Sequence, residues 1–186
     1  MKISSQEEYG LRCLLRLAEA EEKGLSATIP EVAANEGLSP AYVAKMLAVL
    51  RQAGIVDSAR GCTGGYRLAM PAADLTLGKM LLVLGEPLFE EPGYCERHKG
   101  TEADGQCVHL GSCNLRAVWQ TLETWMRRAF DRISLADLRC GEGHITDLLR
   151  LRLTEAVHEP TGGIIPLNMV GEPHRLQPVG ATKGKK

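Results

Sequence analysis

The chain has 186 residues and a formal charge of −1, with 22 Lys and Arg against 23 Asp and Glu. With 44% apolar and 24% charged residues, it is neither a wholly disordered chain nor a collagen-like one, and its whole-chain balance is not that of a strongly basic nucleic-acid binder. The first ten residues carry Glu7 and Glu8 and no apolar signal segment, and the longest apolar run, Met80 to Leu84, is far short of a membrane span, so a cytoplasmic protein is expected, whose six cysteines serve metal or redox chemistry in place of disulfides.

Leu11, Leu14, Leu15 and Ala18 recur at i, i+3, i+4 and i+7 and predict an amphipathic helix from about Ser5 to Glu22, ended by Gly24. Thr28-Ile29-Pro30-Glu31 reads as a capping box that opens a short helix to Glu36, where Gly37 supplies a left-handed stop. Ser39-Pro40 then caps a second helix whose apolar stripe is Val43, Met46, Leu47 and Leu50, leaving Ala41, Tyr42, Lys45, Ala48 and Gln52 on the other side. Two helices joined by so tight a turn make a helix-turn-helix.

Residues 55–60 and 66–70 read as two short strands joined by Gly61-Cys62-Thr63-Gly64-Gly65, with the position and length of a wing. Lys45, Arg51, Arg60 and Arg67 against Asp57 alone give residues 41–70 an excess of three positive charges. Thr76 to Gly85 is a further helix, apolar on most sides and expected to be buried. A loop of about 27 residues follows, too long for a plain connection. Asn114 to Ile133 restores strong periodicity through Leu115, Val118, Trp119, Leu122, Trp125, Met126, Ala129 and Ile133, a stripe suited to pairing with an identical helix. A short helical turn over residues 134–138 ends this part. Beyond Gly141 the chain reads as a mostly flexible tail holding one candidate helix from Ile145 to Val157.

Two constellations carry chemistry. The first is the helix-turn-helix with its wing: the major groove admits an α-helix, and discrimination needs polar groups near that helix's N-terminus while phosphate contacts set its register. Candidate DNA contacts are Ser39, Ala41, Tyr42 and Lys45, with Arg60 and Arg67 on the wing. The plainer alternatives are a solvated face for Lys45 and packing on the wing for Tyr42. The second is Cys95-x11-Cys107-x5-Cys113, half of the chain's cysteines within 19 residues, with His98 and His109 interleaved. Three thiolates from one loop can hold a metal, and Cys113 immediately precedes a helix, where free amides favour a thiolate. The spacing is not that of a zinc ribbon, though zinc with a histidine or bare redox thiols stay open. His98, His109 and Glu8, the last at the first turn of the first helix, compete for a fourth position; helix-dipole compensation is the plain reading of Glu8. Cys13 reads as helix packing. No nucleophile, base and orienting group recur at a recognisable spacing, so an enzyme is not expected.

Taken in order, Ser4-Ser5-Gln6-Glu7-Glu8-Tyr9-Gly10-Leu11-Arg12, Leu38-Ser39-Pro40-Ala41-Tyr42-Val43-Ala44-Lys45, Arg60-Gly61-Cys62-Thr63-Gly64-Gly65-Tyr66-Arg67-Leu68 and Cys107-x5-Cys113 leading into Trp119 resemble the Rrf2 family of bacterial regulators over about residues 1–140. Cys95-Glu96-Arg97-His98 followed by Cys107-Val108-His109 is most similar to members that regulate Suf-type iron-sulfur cluster assembly. The resemblance implies a homodimeric winged-helix transcription factor, most often a repressor, bound to palindromic double-stranded DNA, with Cys95, Cys107 and Cys113 as ligands of an iron-sulfur cluster of two or four irons. Assembly regulators of the family carry a histidine three residues after the third cysteine, where this chain has Arg116. Nitric-oxide sensors of the family use a carboxylate of the partner subunit's first helix, directly before an aromatic residue, and Glu8 before Tyr9 matches that place. A recognition-helix glutamate of some members is Ala44 here.

The expected architecture is therefore mainly α. A winged helix-turn-helix occupies 1–85 (helix-turn-helix about 28–53, wing 55–70), a cysteine-rich metal loop 86–113, a long dimerisation helix 114–140 and a mostly flexible tail 141–186. The expected function is cluster, redox or nitric-oxide sensing coupled to DNA binding; the alternative keeps the winged-helix regulator but makes its cysteines a zinc site or a metal-free thiol switch.

Overall fold

The first helix starts where its cap can form. Ser4 Oγ accepts the Glu7 amide at 3.2 Å while the Glu7 carboxylate accepts the Ser4 amide at 2.6 Å, a reciprocal capping box. The computed structural model describes residues 3–59, 64–87, 89, 93–98, 107, 109 and 111–158, with side chains described as far as residue 152. Helix α1 spans Ser5–Glu22 and buries Cys13, Leu14, Leu17 and Ala18, with Leu11 and Leu15 packed half-buried at the edge. The buried stripe is thus centred slightly off the one read from periodicity.

Thr28 caps α2 (Ile29–Glu36) with the second capping box, left-handed Gly37 ends it, and Ser39 caps α3 (Pro40–Gln52). Val43, Met46, Leu47 and Leu50 of α3 are fully buried, as the sequence pattern requires. Strands β1 (Val56–Ala59) and β2 (Gly65–Leu68) pair antiparallel, with Val56 opposite Leu68 and Asp57 opposite Arg67. Both are shorter than read from sequence. Ile55 is spent on closing α3, its amide bonding the Leu50 carbonyl at 2.9 Å, and residues 60–63 lie outside those described. A further rung joins Ala27 to Tyr66 through Tyr66 N to Ala27 O at 2.8 Å and the reciprocal bond at 3.0 Å. That approach needs Gly65, because a Cβ there would stand 2.8 Å from the Ala27 carbonyl oxygen.

Helix α4 (Leu77–Leu84) packs on α1 where Gly10 leaves room, a Cβ at position 10 falling 2.4 Å from a Leu84 methyl. Met80 and Leu84 are buried, but Leu82 is 59% exposed, so α4 is not covered on all sides as its composition suggested. A four-residue helix, α5 (Tyr94–Arg97), interrupts the long loop and carries Cys95. Helix α6 spans Asn114–Asp131, two residues shorter than its periodicity, because Ile133 leaves the helix to pair with the segment before α4. Leu77 N bonds Ile133 O at 2.7 Å, Leu135 N bonds Leu75 O at 2.8 Å and Ala136 N bonds Ala72 O at 3.1 Å, with Leu75 and Leu135 both fully buried. The end of the long helix is thereby sewn into the core of the N-terminal unit.

After a 3-10 turn at Asp137–Arg139, α7 runs from Glu142 to His158. It begins three residues before the helix read inside the tail and makes 142–158 ordered structure in a region expected to be mostly flexible. Arg152 of α7 bonds the Arg132 carbonyl and, at 2.9 Å, the Asp137 carboxylate, holding α7 against the end of α6.

Glu36 is the buried charged side chain among the described residues. It closes α2, where the helix dipole repels a carboxylate, and it is held by Arg12 Nε at 2.6 Å and by Arg16 Nε, while Arg12 Nη2 bonds its backbone carbonyl at 2.9 Å. Burial acts to raise its pKa, but the hydrogen bonds from Arg16 and Arg12 outweigh it and hold the carboxyl below the usual glutamate range. Stability from this group is therefore complete above the ordinary glutamate pKa and is lost as pH falls through the depressed value. Glu36→Gln turns one amide N–H₂ towards a guanidinium and should cost about 1 to 3 kcal/mol at pH 7. Urea unfolding at pH 7 and at stepwise lower pH should show the gap between wild type and variant closing on acidification. Burial also pushes the Cys13 thiol up to about 11. Mass spectrometry after iodoacetamide at neutral pH should find exposed Cys140 alkylated in the folded protein and Cys13 alkylated only after denaturation.

Candidate nucleic-acid interface and metal loop

Ser39 Oγ accepts the Tyr42 amide at 3.2 Å, so its oxygen is engaged in the cap that starts α3. With the apolar stripe turned inward, Ala41, Lys45, Ala48 and Gln52 stand exposed along one outward line. Lys45 makes no hydrogen bond or ion pair with any described residue. The half-buried Tyr42 ring meets Tyr9 of α1 edge-on, with ring centroids 5.8 Å apart and planes at 89°. The Arg12 guanidinium, fixed by Glu36, lies 5.5 Å from the Tyr9 centroid, within cation–π reach.

On the wing, Arg67 is exposed and faces Asp57 across the ladder, while Arg51 Nη1 reaches Ser58 Oγ at 3.4 Å and ties the end of α3 to β1. Arg60 lies outside the described residues. Ser39, Ala41, Tyr42, Lys45 and Arg67 therefore lie on or beside the helix-turn-helix and its wing, with Tyr42 engaged by α1.

In the loop, Cys95, Cys107 and Cys113 are half-buried free thiols. Cys113 is the N-cap of α6, its Sγ accepting the Arg116 amide at 3.4 Å, so a sulfur takes the place usually held by a hydroxyl or carboxylate oxygen. The His98 ring stacks 4.5 Å from Tyr94 and its Nδ1 lies 2.8 Å from the Tyr94 carbonyl. His109 and Glu8 are exposed. Among the described residues no three His, Cys, Asp or Glu side chains come together as a metal site would require. The donor chemistry suits iron, since soft thiolates and a helix N-terminus favour an anionic cluster, but one copy of the chain does not gather Cys95, Cys107, Cys113 and Glu8.

Along α6, Ala129 is buried and Met126 and Phe130 are half-buried beside α4, whereas Leu115, Val118, Trp119, Leu122 and Trp125 are 63%, 48%, 39%, 40% and 36% exposed. Between α4, α6 and the start of α1 runs a groove of about 680 Å³, lined by Leu81, Leu82, Met126 and Phe130 with Glu7 and Arg127 at its edges. The exposed Leu82 and the Tyr9–Arg12–Glu36 chain were not read from sequence. Leu82 was hidden by the uniform apolarity of α4, and contacts separated by more than twenty residues leave no local pattern.

The Rrf2 profile, described as an iron-dependent transcriptional regulator, matches residues 3–140. The protein Rrf2 of Nitratidesulfovibrio vulgaris is 34% identical over 139 residues, covering 74% of this chain and 87% of that one. The regulator IscR of Escherichia coli O9:H4 is 24% identical over 165 residues, covering 84% and 96%. Among solved structures, CymR of B. subtilis, the global cysteine regulator, matches with a TM-score of 0.55 at 27% identity over 74% of this chain and 95% of that one, and IscR of T. potens with 0.56 at 25% over 78% and 96%. These neighbours have the same mainly helical architecture with a two-stranded wing, and the family is one of regulators rather than enzymes. No helix among the described residues is long and apolar enough to cross a membrane. The chain belongs to the Rrf2 family of DNA-binding transcriptional regulators.

Proposed function

We propose that this chain works in the cytoplasm as a homodimeric repressor that binds a palindromic operator and releases or retains it according to the state of an iron-sulfur cluster. The observation that carries the DNA-binding part is the outward face of α3, capped by Ser39 and presenting Ala41 and Lys45, which pairs with no described residue, beside a wing that bears Arg67. Arg60, outside the described residues, is a further candidate contact by sequence. Ser39 and Arg67 would meet the backbone, Ala41 and Lys45 the base edges, and Tyr42 would hold the helix at its angle through Tyr9.

The second copy would cover Leu115, Val118, Trp119, Leu122 and Trp125. Five large apolar side chains on one free helix face are more than a surface helix ordinarily leaves in water. Within such a dimer Cys95, Cys107 and Cys113 would hold the cluster from one subunit and Glu8 from the other, and cluster binding would have to draw the three thiols of one loop together. When bound, the cluster supplies a centre sensitive to oxidants and nitric oxide. What the chain itself provides is Cys113 at the start of α6, so that the ligand and the dimer helix share one residue. A coupling of about 1 to 3 kcal/mol between loop and DNA face is the usual scale for such a regulator.

A second reading has its own support: the three loop thiols are free, one structural neighbour is CymR, the global cysteine regulator of B. subtilis, and another is the oxidized form of CymR from Staphylococcus aureus. In that reading the cysteines form a zinc site or a metal-free thiol switch.

Anaerobic purification with visible absorption and iron and sulfide assay divides the two. The cluster reading expects a coloured protein that loses iron in Cys107→Ala and Cys113→Ala and whose spectrum changes in Glu8→Ala. A colourless protein with one zinc, or one whose DNA binding responds to peroxide without iron, overturns it. Light scattering should give a dimer mass for the wild type and a monomer for Trp119→Glu or Leu122→Glu, with helical circular dichroism preserved.

A further inference from the structure

We propose that Lys45 is the residue through which α3 reads sequence, and that it reads guanine, donating to N7 and O6 in the major groove. The inference rests on the DNA-binding reading above and adds the base to it. A recognition helix addresses base edges with the N-terminal part of its outward face. On α3 that part carries Pro40, Ala41, Ala44, Lys45 and Ala48, and four of these five side chains can form no hydrogen bond. The two other polar groups of this half already have contacts within the protein, Ser39 Oγ accepting the Tyr42 amide and the Tyr42 ring meeting Tyr9, itself held by Arg12. Gln52 lies at the far end of the helix, two turns beyond Lys45.

Lys45 is exposed and has no partner among the described residues, so its ammonium can be committed to DNA without breaking an ion pair to any of them. An ammonium only donates. In the major groove guanine alone offers two adjacent acceptors and no competing donor: adenine pairs its N7 with an amino group, cytosine offers a donor, and thymine sets one acceptor beside a methyl. The alanines at 41 and 48, one turn on either side, offer methyl groups whose complement is the thymine methyl. The half-site read by α3 would thus be one guanine flanked by bases contacted without hydrogen bonds.

The test uses the full-length protein, as isolated anaerobically and after metal removal, and duplexes enriched by it from a random-core pool. One guanine per half-site is then replaced in turn by 7-deazaguanine, which lacks N7, and affinity is measured by fluorescence anisotropy at several salt concentrations. The expected result is a loss on the order of tenfold at one guanine for wild type, a comparable loss for Lys45→Met on the unmodified duplex, and no further loss when variant and modified base are combined. Lys45→Arg should keep the guanine preference. If Lys45→Met weakens all duplexes, selected or not, by one factor and lowers the salt slope by about one, the contact is to phosphate and the proposal is overturned. If all single 7-deazaguanine substitutions leave wild-type affinity unchanged, it is overturned as well. A wild-type protein that binds no duplex in either form would overturn the DNA-binding reading itself, a result distinct from both.

Discussion

A carboxylate that cannot stay buried alone sets how the first helices of the helix-turn-helix unit pack in this protein. Glu36 closes α2 at the end of the helix that is least favourable for negative charge, and it is covered by α1. Without a counter-charge that placement would cost several kcal/mol. Arg12 and Arg16, one turn apart on α1, supply two cations, and Arg12 also takes the Glu36 carbonyl. The same Arg12 lies by the Tyr9 ring, and Tyr9 receives Tyr42 from the start of α3. One ion-pair cluster thus joins α2 to α1 and, through two aromatic rings, reaches the start of α3.

The opposite half is governed by how α6 is anchored. Its C-terminal end is drawn into the core, with Ile133 and Leu135 paired to the segment before α4, and α7 locks the exit through Arg152 on Asp137. Its N-terminal end starts at Cys113 and carries most of its apolar surface into solvent. A helix of 18 residues is about 27 Å long and stiff along its axis. The thiol at one end and the winged-helix core at the other are therefore mechanically continuous, which is the arrangement a loop-borne sensor needs if it is to influence a DNA-binding face. Leu135 belongs to the same buried apolar cluster as Leu14 and Leu47, and Leu138 packs against it.

The local rules were legible in the residues themselves. Thr28 with Glu31, Ser39 before Pro40 and the left-handed Gly37 define helix ends through contacts of three or four residues, and the Val43, Met46, Leu47, Leu50 stripe chooses its buried face by period alone. The family resemblance was legible too, because short motifs stand in order along the chain, and the profile match over 3–140 agrees with it. The number and spacing of the loop cysteines could be read, but not their relative placement, since nothing local brings Cys95, Cys107 and Cys113 to one point.

Sequence alone therefore determined the helix-turn-helix, the wing, the apolar face of α6 and the candidate donors, all of them properties of a segment and its neighbours. Tertiary structure decided which polar groups are committed and which are free. Tyr42 is held by Tyr9 across 33 residues of sequence, Glu36 meets arginines 20 and 24 residues away, and the chain after α6 returns to pair with residues 72–77. Such contacts depend on packing between distant segments, which carries no period and no local cap.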